Sequence, residues 1–410
     1  MVYLTARGGG ASVWAWLFVD IYLPSIIAAI ARGMLSISLP LFLIASNLDP
    51  LYVGLGAAAV SIGNMVMDMP GGYLLRAMGE KRLMRISLPV VALSSLGMAL
   101  LSNPWAVILF AASFGAGRSM WLLSRRYVIT YYIPYNYRGR ASSFIGMSER
   151  LGSFIGPAIV SMIVGYGYQL VFIACSILAS IAIIPNILSS SKEYYPNAVN
   201  NKEPSRIDVK NSGREGEEPG ILFLVTASIA NIAIQGVRSS RNILLALIGK
   251  RLSLSDSDVS FASSISGALD VIGSYPAGVL MDRRGRGAAV AISFSIMALG
   301  FTLLAFSSIE YMFLLASLVI GLGNGFGSGV LITVGADIGS RMEISRGAIF
   351  LAIWQLIGDL GGAIFPIAIG LISSLLGAKA SSMIIAFISA LIPPMFRRIR
   401  KDLENRPRSF

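Results

Sequence analysis

Apolar blocks of membrane-crossing length recur at 20–46, 51–75, 83–102, 105–130, 141–165, 169–189, 220–248, 257–281, 288–308, 311–336, 347–374 and 380–396. About 20 apolar residues suffice for a helix to cross a bilayer core, so the pattern predicts an all-α integral membrane protein of twelve transmembrane helices. The polar breaks carry turn chemistry: Asn47-Leu48-Asp49-Pro50, Asn103-Pro104 and Tyr166-Gly167-Tyr168 each end one helix and start another. The one long break, 190–219, is rich in Ser, Asn, Lys, Glu and Pro and reads as a flexible linker dividing the spans six and six. The expected organisation is therefore an N-terminal six-helix bundle over 1–189, a cytoplasmic linker over 190–219, a second six-helix bundle over 220–396 and a basic cytoplasmic tail over 397–410. The first segment, from Trp14 onward, lacks a small-residue cleavage site and reads as a retained helix rather than a signal peptide.

Composition agrees. Of 410 residues 55% are apolar and 13% charged, against about 25% charged in soluble domains, which leaves no room for a sizeable soluble domain. The net charge of +12 is a matter of topology. Of the 33 Lys and Arg, 25 fall in segments on one side of the membrane, three (Lys250, Arg251, Lys379) on the other and five inside spans. Basic loops collect on the cytoplasmic side, so both termini are expected there, in a multi-pass cell-membrane protein with no nucleic-acid partner. Cys175 is the only cysteine, which excludes an internal disulfide, and the absence of His removes the usual metal ligand, general base and proton shuttle. No catalytic residue, metal site or cofactor is expected: a Ser-His dyad, a Gly-x-Gly-Asp aspartyl motif, an HExxH site and a phosphate-binding loop are all missing. Energy must then come from an ion or solute gradient, and any proton must ride on a carboxylate.

Displacing the chain on itself by 206 residues aligns Arg32 with Arg238, Pro70 with Pro276, Gly72 with Gly278, Leu74 with Leu280 and Gly79 with Gly285. In the same register Gly115 meets Gly321, Gly117 meets Gly323, Gly152 meets Gly358 and Gly156 meets Gly362. Two parallel six-helix halves follow. Within this repeat, Gly278-Val279-Leu280-Met281-Asp282-Arg283-Arg284-Gly285-Arg286 resembles the G-x-L-x-D-R-x-G-R loop of the major facilitator superfamily. The N-terminal copy, Gly72 to Arg82, keeps Gly72 and Gly79 but has Arg76 where that family has Asp. Gly152-Ser153-Phe154-Ile155-Gly156-Pro157 resembles the family's fifth-helix motif, although Val160-Ser161 stands where a further Gly pair follows in proton-driven exporters.

The resemblance implies a secondary transporter that rocks two halves about a central cavity. Gly72, Arg76, Gly79, Gly278, Asp282, Arg283, Gly285 and Arg286 would form its cytoplasmic gate, with Asp282 latching onto the fifth helix near Arg138 or Arg140 or onto that helix's N-terminal dipole. Arg76 has the wrong sign for the same contact, and the arginines could equally serve topology alone. Gly152 and Gly156 with Pro157 would let helices approach, bend and rock, or simply pack. The glycines from Gly321 to Gly329 form either a pliable gate helix or a close packing face.

Charges inside spans cost at least ~2.5 kcal/mol each on insertion scales, so they face a cavity or a partner. The set is Arg32, Asp68, Arg118, Glu149, Arg150, Arg238, Arg241, Asp270 and Asp359, with Glu149 and Arg150 expected nearer the inner leaflet. Arg32, Arg118, Arg238 and Arg241 are candidate substrate ligands; Asp270 first, Asp68 second, then Glu149 and Asp359 are candidate proton carriers. Structural ion pairing is the competing account of each. Arg32 and Arg238 are expected to face each other near the midplane, and Arg32 lies eight residues before Pro40, as in the first helix of organophosphate:phosphate antiporters. That resemblance implies an organic anion or phosphate-ester exchanger. Against it, Asp68 stands where those proteins have Lys, Ala246 replaces a second Pro, and their fifth-helix His is missing. The reading is thus a monomeric, ion- or proton-coupled transporter of a small solute in a lipid bilayer, with an anion exchanger or a non-transporting solute sensor as alternatives.

Overall fold

A computed structural model describes residues 17–101, 103–133, 135–188, 220–339 and 344–404. The linker at 190–219 lies outside the described residues. Twelve helical segments follow the twelve apolar blocks: α1 (Phe18–Ala45), α2 (Pro50–Met78), α3 (Glu80–Leu100), α4 (Pro104–Tyr132), α5 (Tyr135–Ile163), α6 (Tyr168–Leu188), α7 (Ile221–Arg251), α8 (Asp256–Arg284), α9 (Arg286–Phe306), α10 (Glu310–Gly339), α11 (Ile344–Leu376) and α12 (Ala378–Glu404).

Local chemistry sets the ends. Asp49 and Asn103 cap α2 and α4 by accepting the amides of Leu51 and Trp105, each at 2.9 Å, with Pro at the first helical position of both. Such caps satisfy amides that have no partner within the helix. Ser255 and Asp258 form a reciprocal capping box on α8. The turns repeat with the sequence: Asn47 and Ser253, 206 apart, have φ of 58° and 57°, and Gly79 and Gly285 both have φ of 80°. Glycine suits that left-handed backbone because it has no Cβ to clash.

Three features differ from the apolar pattern. First, α10 is broken between Phe326 and Val330, where Gly329 has φ of 75°; the Gly-rich stretch interrupts the ladder that its repeat partner α4 keeps whole. Second, α12 carries the helix into the basic tail as far as Glu404. Third, among the described residues ten helices are long and apolar enough to cross a membrane by themselves, and α5 and α8 are not among them. These two carry Glu149, Arg150 and Asp270 at their centres, which lowers their mean hydropathy, and they pack on each other between the halves.

Packing follows the repeat. In the first half α2 lies on α4, α1 on α5, and α3 on α4 and α6; in the second, α8 lies on α10, α7 on α11, and α9 on α10 and α12. Close approaches repeat as well: a Cβ on Gly115 would strike the Val60 carbonyl and one on Gly321 the Ser266 carbonyl, both pairs 206 apart. Gly33 meets Gly152 and Gly156 in the same way between α1 and α5. Without a hydrophobic drive between helices in lipid, such small-residue contacts gain dispersion energy by bringing backbones together. Large apolar side chains on α3, α6, α9 and α12, including Leu93, Ile177, Leu299 and Phe387, remain exposed, as a lipid-facing surface requires.

The halves meet through α2 on α11 and α5 on α8. Ser36 and Asn242, again 206 apart, join α1 to α7 at 2.9 Å across the pseudo-twofold axis. The end carrying the Arg-rich α2–α3 and α8–α9 turns is termed the basic end. Towards the opposite end, Ser374 donates to Asp49 at 2.8 Å, Tyr168 donates to Asp256, Ser257 donates to the Ser161 carbonyl at 2.5 Å, and Gly54 abuts Pro366 and Gly370.

Candidate functional site

Arg32, Arg118, Glu149 and Asp270 stand at the centres of α1, α4, α5 and α8. Glu149 gathers three guanidiniums. Its Oε2 lies 3.0 Å from Arg32 Nε and 3.4 Å from Arg118 Nη2, and its Oε1 accepts from Arg125 Nη2 at 2.9 Å. Arg32 also donates to the Glu149 carbonyl at 3.3 Å. The four side chains line a cleft with Ser25, Leu88, Val91, Phe114 and Trp121. Arg125 is buried, whereas the Arg32, Arg118 and Glu149 side chains keep 29%, 23% and 25% of their surface exposed. The cluster therefore has one sheltered guanidinium and three reachable groups.

Asp270 organises a second cluster between the halves. Arg150 of α5 lies 3.4 Å away, Arg241 of α7 4.0 Å away, and Asn324 of α10 donates to it at 2.7 Å. The repeat partners mirror this contact with the charge moved: Asn64, with its amide turned to donate to the Gly115 carbonyl, accepts from Arg118 at 3.1 Å. One half thus places the charge on α4 and the other on α8. Arg238 turns aside and donates to the Gly327 carbonyl at the break in α10. Such a break frees carbonyls that a guanidinium can satisfy.

A third group joins α2, α4 and α11. Ser119 donates to Asp68 at 2.5 Å, Arg126 donates to the Gln355 side chain at 3.3 Å, and Gln355 donates to Asp359 at 3.3 Å. The charged groups facing Asp359 are Asp68, Arg118 and Arg126. Glu149 and Asp270 are both held by arginine, while Asp68 and Asp359 are held by neutral donors.

A sequence profile described as Major Facilitator Superfamily matches residues 21–231 and 221–409, once over each half. The chain belongs to the major facilitator superfamily. It is 22% identical over 283 residues to the MFS-type transporter YcaD of Salmonella enteritidis PT4, covering 67% of this chain and 69% of that one. Its fold is similar to that of a D-xylose-proton symporter, with a TM-score of 0.75 at 16% identity over 95% of this chain and 99% of that one. It is similar too to the nucleoside transporter NupG, with a TM-score of 0.71 at 15% identity over 93% of this chain and 99% of that one. Family and fold are those of membrane transporters.

In this facilitator the structure brings Arg32 and Arg118 together at Glu149 and Arg241 to Asp270, but it does not pair Arg32 with Arg238. The residues that meet across the axis are Ser36 and Asn242. Glu149 and Arg150 sit at the centre of α5, which begins at Tyr135, ahead of the apolar block that starts at 141. Of the gate motif, Gly72, Gly79, Gly278 and Gly285 lie at the basic end, and a Cβ on Gly72 or Gly278 would meet nothing within 4 Å. Arg76 and Arg283 are exposed, and Arg286 pairs with Asp337 on α10. The side chains of Asp282 and Arg138 lie outside the described residues. Pro157 lies within α5, one residue past the Gly156 contact with α1.

Sequence reading missed Arg125 and Arg126. Counted with the loop before α5, they instead turn back into the bundle to reach Glu149 and Gln355. A signal was present: Arg118 and Arg125 are seven residues apart, two helical turns along one face.

Proposed function

We propose that this facilitator is a secondary active transporter that moves a small solute by alternating access and couples the movement to an ion gradient, with H+ as the ion. The observation that carries the reading is the arrangement of inter-half contacts. Repeat-related helix pairs draw the halves together at the end opposite the basic one, through Asp49–Ser374, Tyr168–Asp256 and Gly54–Gly370, while Gly72 and Gly278 at the basic end face open space. A bundle pair closed at one end, with charged side chains at its centre, is one of the two states that rocking requires. The loop charges support the basic end as cytoplasmic, so this state would open inward. Gly33, Gly152 and Gly156 would allow α1 and α5 to adjust during rocking, and Asp282 would latch the basic end in the opposite state.

Proton coupling is supported by Asp68 and Asp359, which accept from neutral donors and form no direct ion pair among the described residues, so a proton can neutralise either without breaking one. The likeness to a D-xylose-proton symporter points the same way. Reconstitution into proteoliposomes tests the reading: with a pH gradient imposed, radiolabelled pentoses, nucleosides and organic anions should include a solute that accumulates above its outside concentration, and a protonophore should abolish the accumulation. A protein that binds solute but never accumulates it would be a sensor on this fold.

A further inference from the structure

We propose that Glu149 is an internal stand-in for the transported group, and that the Arg32–Arg118–Arg125 cluster takes a small solute carrying a carboxylate or phosphate. The inference rests on the transport reading and names its substrate class. Three guanidiniums meet one carboxylate, leaving a local excess of two positive charges. Each guanidinium has five donors, whereas a carboxylate offers about four acceptor positions, so Glu149 cannot saturate the forks around it. Arg125, 3% exposed, keeps its Nε without an acceptor.

The surplus extends beyond this cluster. Across the three groups described above, Arg32, Arg118, Arg125, Arg126, Arg150, Arg238 and Arg241 are set against Asp68, Glu149, Asp270 and Asp359, a net charge of +3 from these eleven groups. Unbalanced charge at the bilayer centre is costly, and an arriving anion lowers that cost where a neutral solute does not. Guanidinium forks also match carboxylate and phosphate oxygens in pairs.

The cleft explains why Glu149 must yield. Its cavity volume is about 20 Å³, room for roughly one water. An anionic group therefore enters by replacing the Glu149 carboxylate, not by settling beside it. The route is on the inter-half side, since Arg32 also faces Arg241 and Asp270 of the other half. Phe114, Trp121, Leu88 and Val91 give the cleft an apolar wall that suits a short hydrocarbon body behind the charged group.

The experiment compares the purified full chain with Glu149→Gln, Arg125→Lys and Arg32→Lys variants. Thermal shift and calorimetric titration are run with inorganic phosphate and with succinate, using D-xylose and uridine as neutral controls. Removing the competitor should leave Glu149→Gln less stable when empty yet bind phosphate or succinate about tenfold more tightly, while either Lys variant should bind about tenfold more weakly because the fork is lost. Whichever of the two anions responds identifies the group. Glu149→Asp, with a shorter carboxylate, should fall between parent and Gln and replaces Gln if that variant does not fold. Equal or weaker anion binding in a folded Glu149 variant, or no anion-specific response in any protein, overturns the proposal. Accumulation of a neutral solute with no anion binding would sink the substrate class and leave the transport reading intact; anion binding without accumulation of any solute would do the reverse.

Discussion

At the residue scale, the carboxylates of Glu149, Asp270, Asp68 and Asp359 divide by partner. Glu149 and Asp270 lie within 3.4 Å of arginines, and Asp68 and Asp359 accept from Ser119 and Gln355. Removing the charge from Asp270 strands Arg150 and Arg241 in a buried setting, where breaking a pair costs about 3 kcal/mol or more. Asp270→Asn should therefore lower the unfolding temperature markedly in detergent. Asp68→Asn and Asp359→Asn break no direct ion pair, although each removes a charge that faces Arg126; each should cost less stability than Asp270→Asn yet lose pH-gradient-driven accumulation while keeping solute exchange. Intact pH-driven accumulation in both variants would remove these residues from the coupling path. Sequence grounds favour Asp270 as the proton carrier, because its repeat position holds Asn64 and one half alone bears the charge. Spacing along the chain cannot show that two arginines already occupy it.

At the scale of elements, the glycines separate into those that permit contact and those that meet open space. Gly115→Ala and Gly321→Ala would drive a methyl group into the Val60 and Ser266 carbonyls, an overpacking that costs about 1–3 kcal/mol each. Thermal unfolding should report losses of that size. Gly72→Ala and Gly278→Ala meet nothing within 4 Å and lie in helices, where Ala is favoured over Gly by up to about 1 kcal/mol. Their stability should hold or rise slightly. If the basic end closes during transport, the same two substitutions should slow turnover by obstructing closure; unchanged turnover would show that α2 and α8 never approach a partner there. Gly79 and Gly285 belong to a third kind, since φ of 80° strains any other residue by about 1–2 kcal/mol.

At the scale of the whole molecule, the two halves are one packing plan used twice, joined firmly at one end. Asp49 and Ser374 sit on opposite halves with their side-chain oxygens 2.8 Å apart. A double Asp49→Cys, Ser374→Cys variant should form a cross-link under mild oxidation, since the sole native cysteine, Cys175, is buried. Locking this end should stop transport, and reductant should restore it; transport by the cross-linked protein would contradict alternating access. Orientation is tested separately. A reporter fused after Phe410 should be active in the cytoplasm, as the 25-to-3 division of loop charge requires, and moving Arg125 and Arg126 into the bundle leaves that asymmetry large.

The amino-acid sequence alone determined the run of apolar helices, most of the turns between them, the two-fold repeat and the uneven distribution of loop charge, but not where α5 begins, where α12 stops or that α10 is broken. The features it determined follow from local physics: a bilayer fixes the length of an apolar helix, caps and glycines fix its ends, and a duplicated pattern folds the same way twice. Only the tertiary structure decided which charge meets which. Arg32 and Arg238 are related by the repeat, yet one reaches Glu149 and the other the Gly327 carbonyl. Arg125, near the end of an apolar block, belongs to the centre of the bundle. A long, flexible guanidinium side chain can reach several levels of a helix bundle. Its partner is chosen by the packing of distant helices and by the cost of leaving charge unpaired in a low-dielectric interior, neither of which is written into the spacing of residues along one helix.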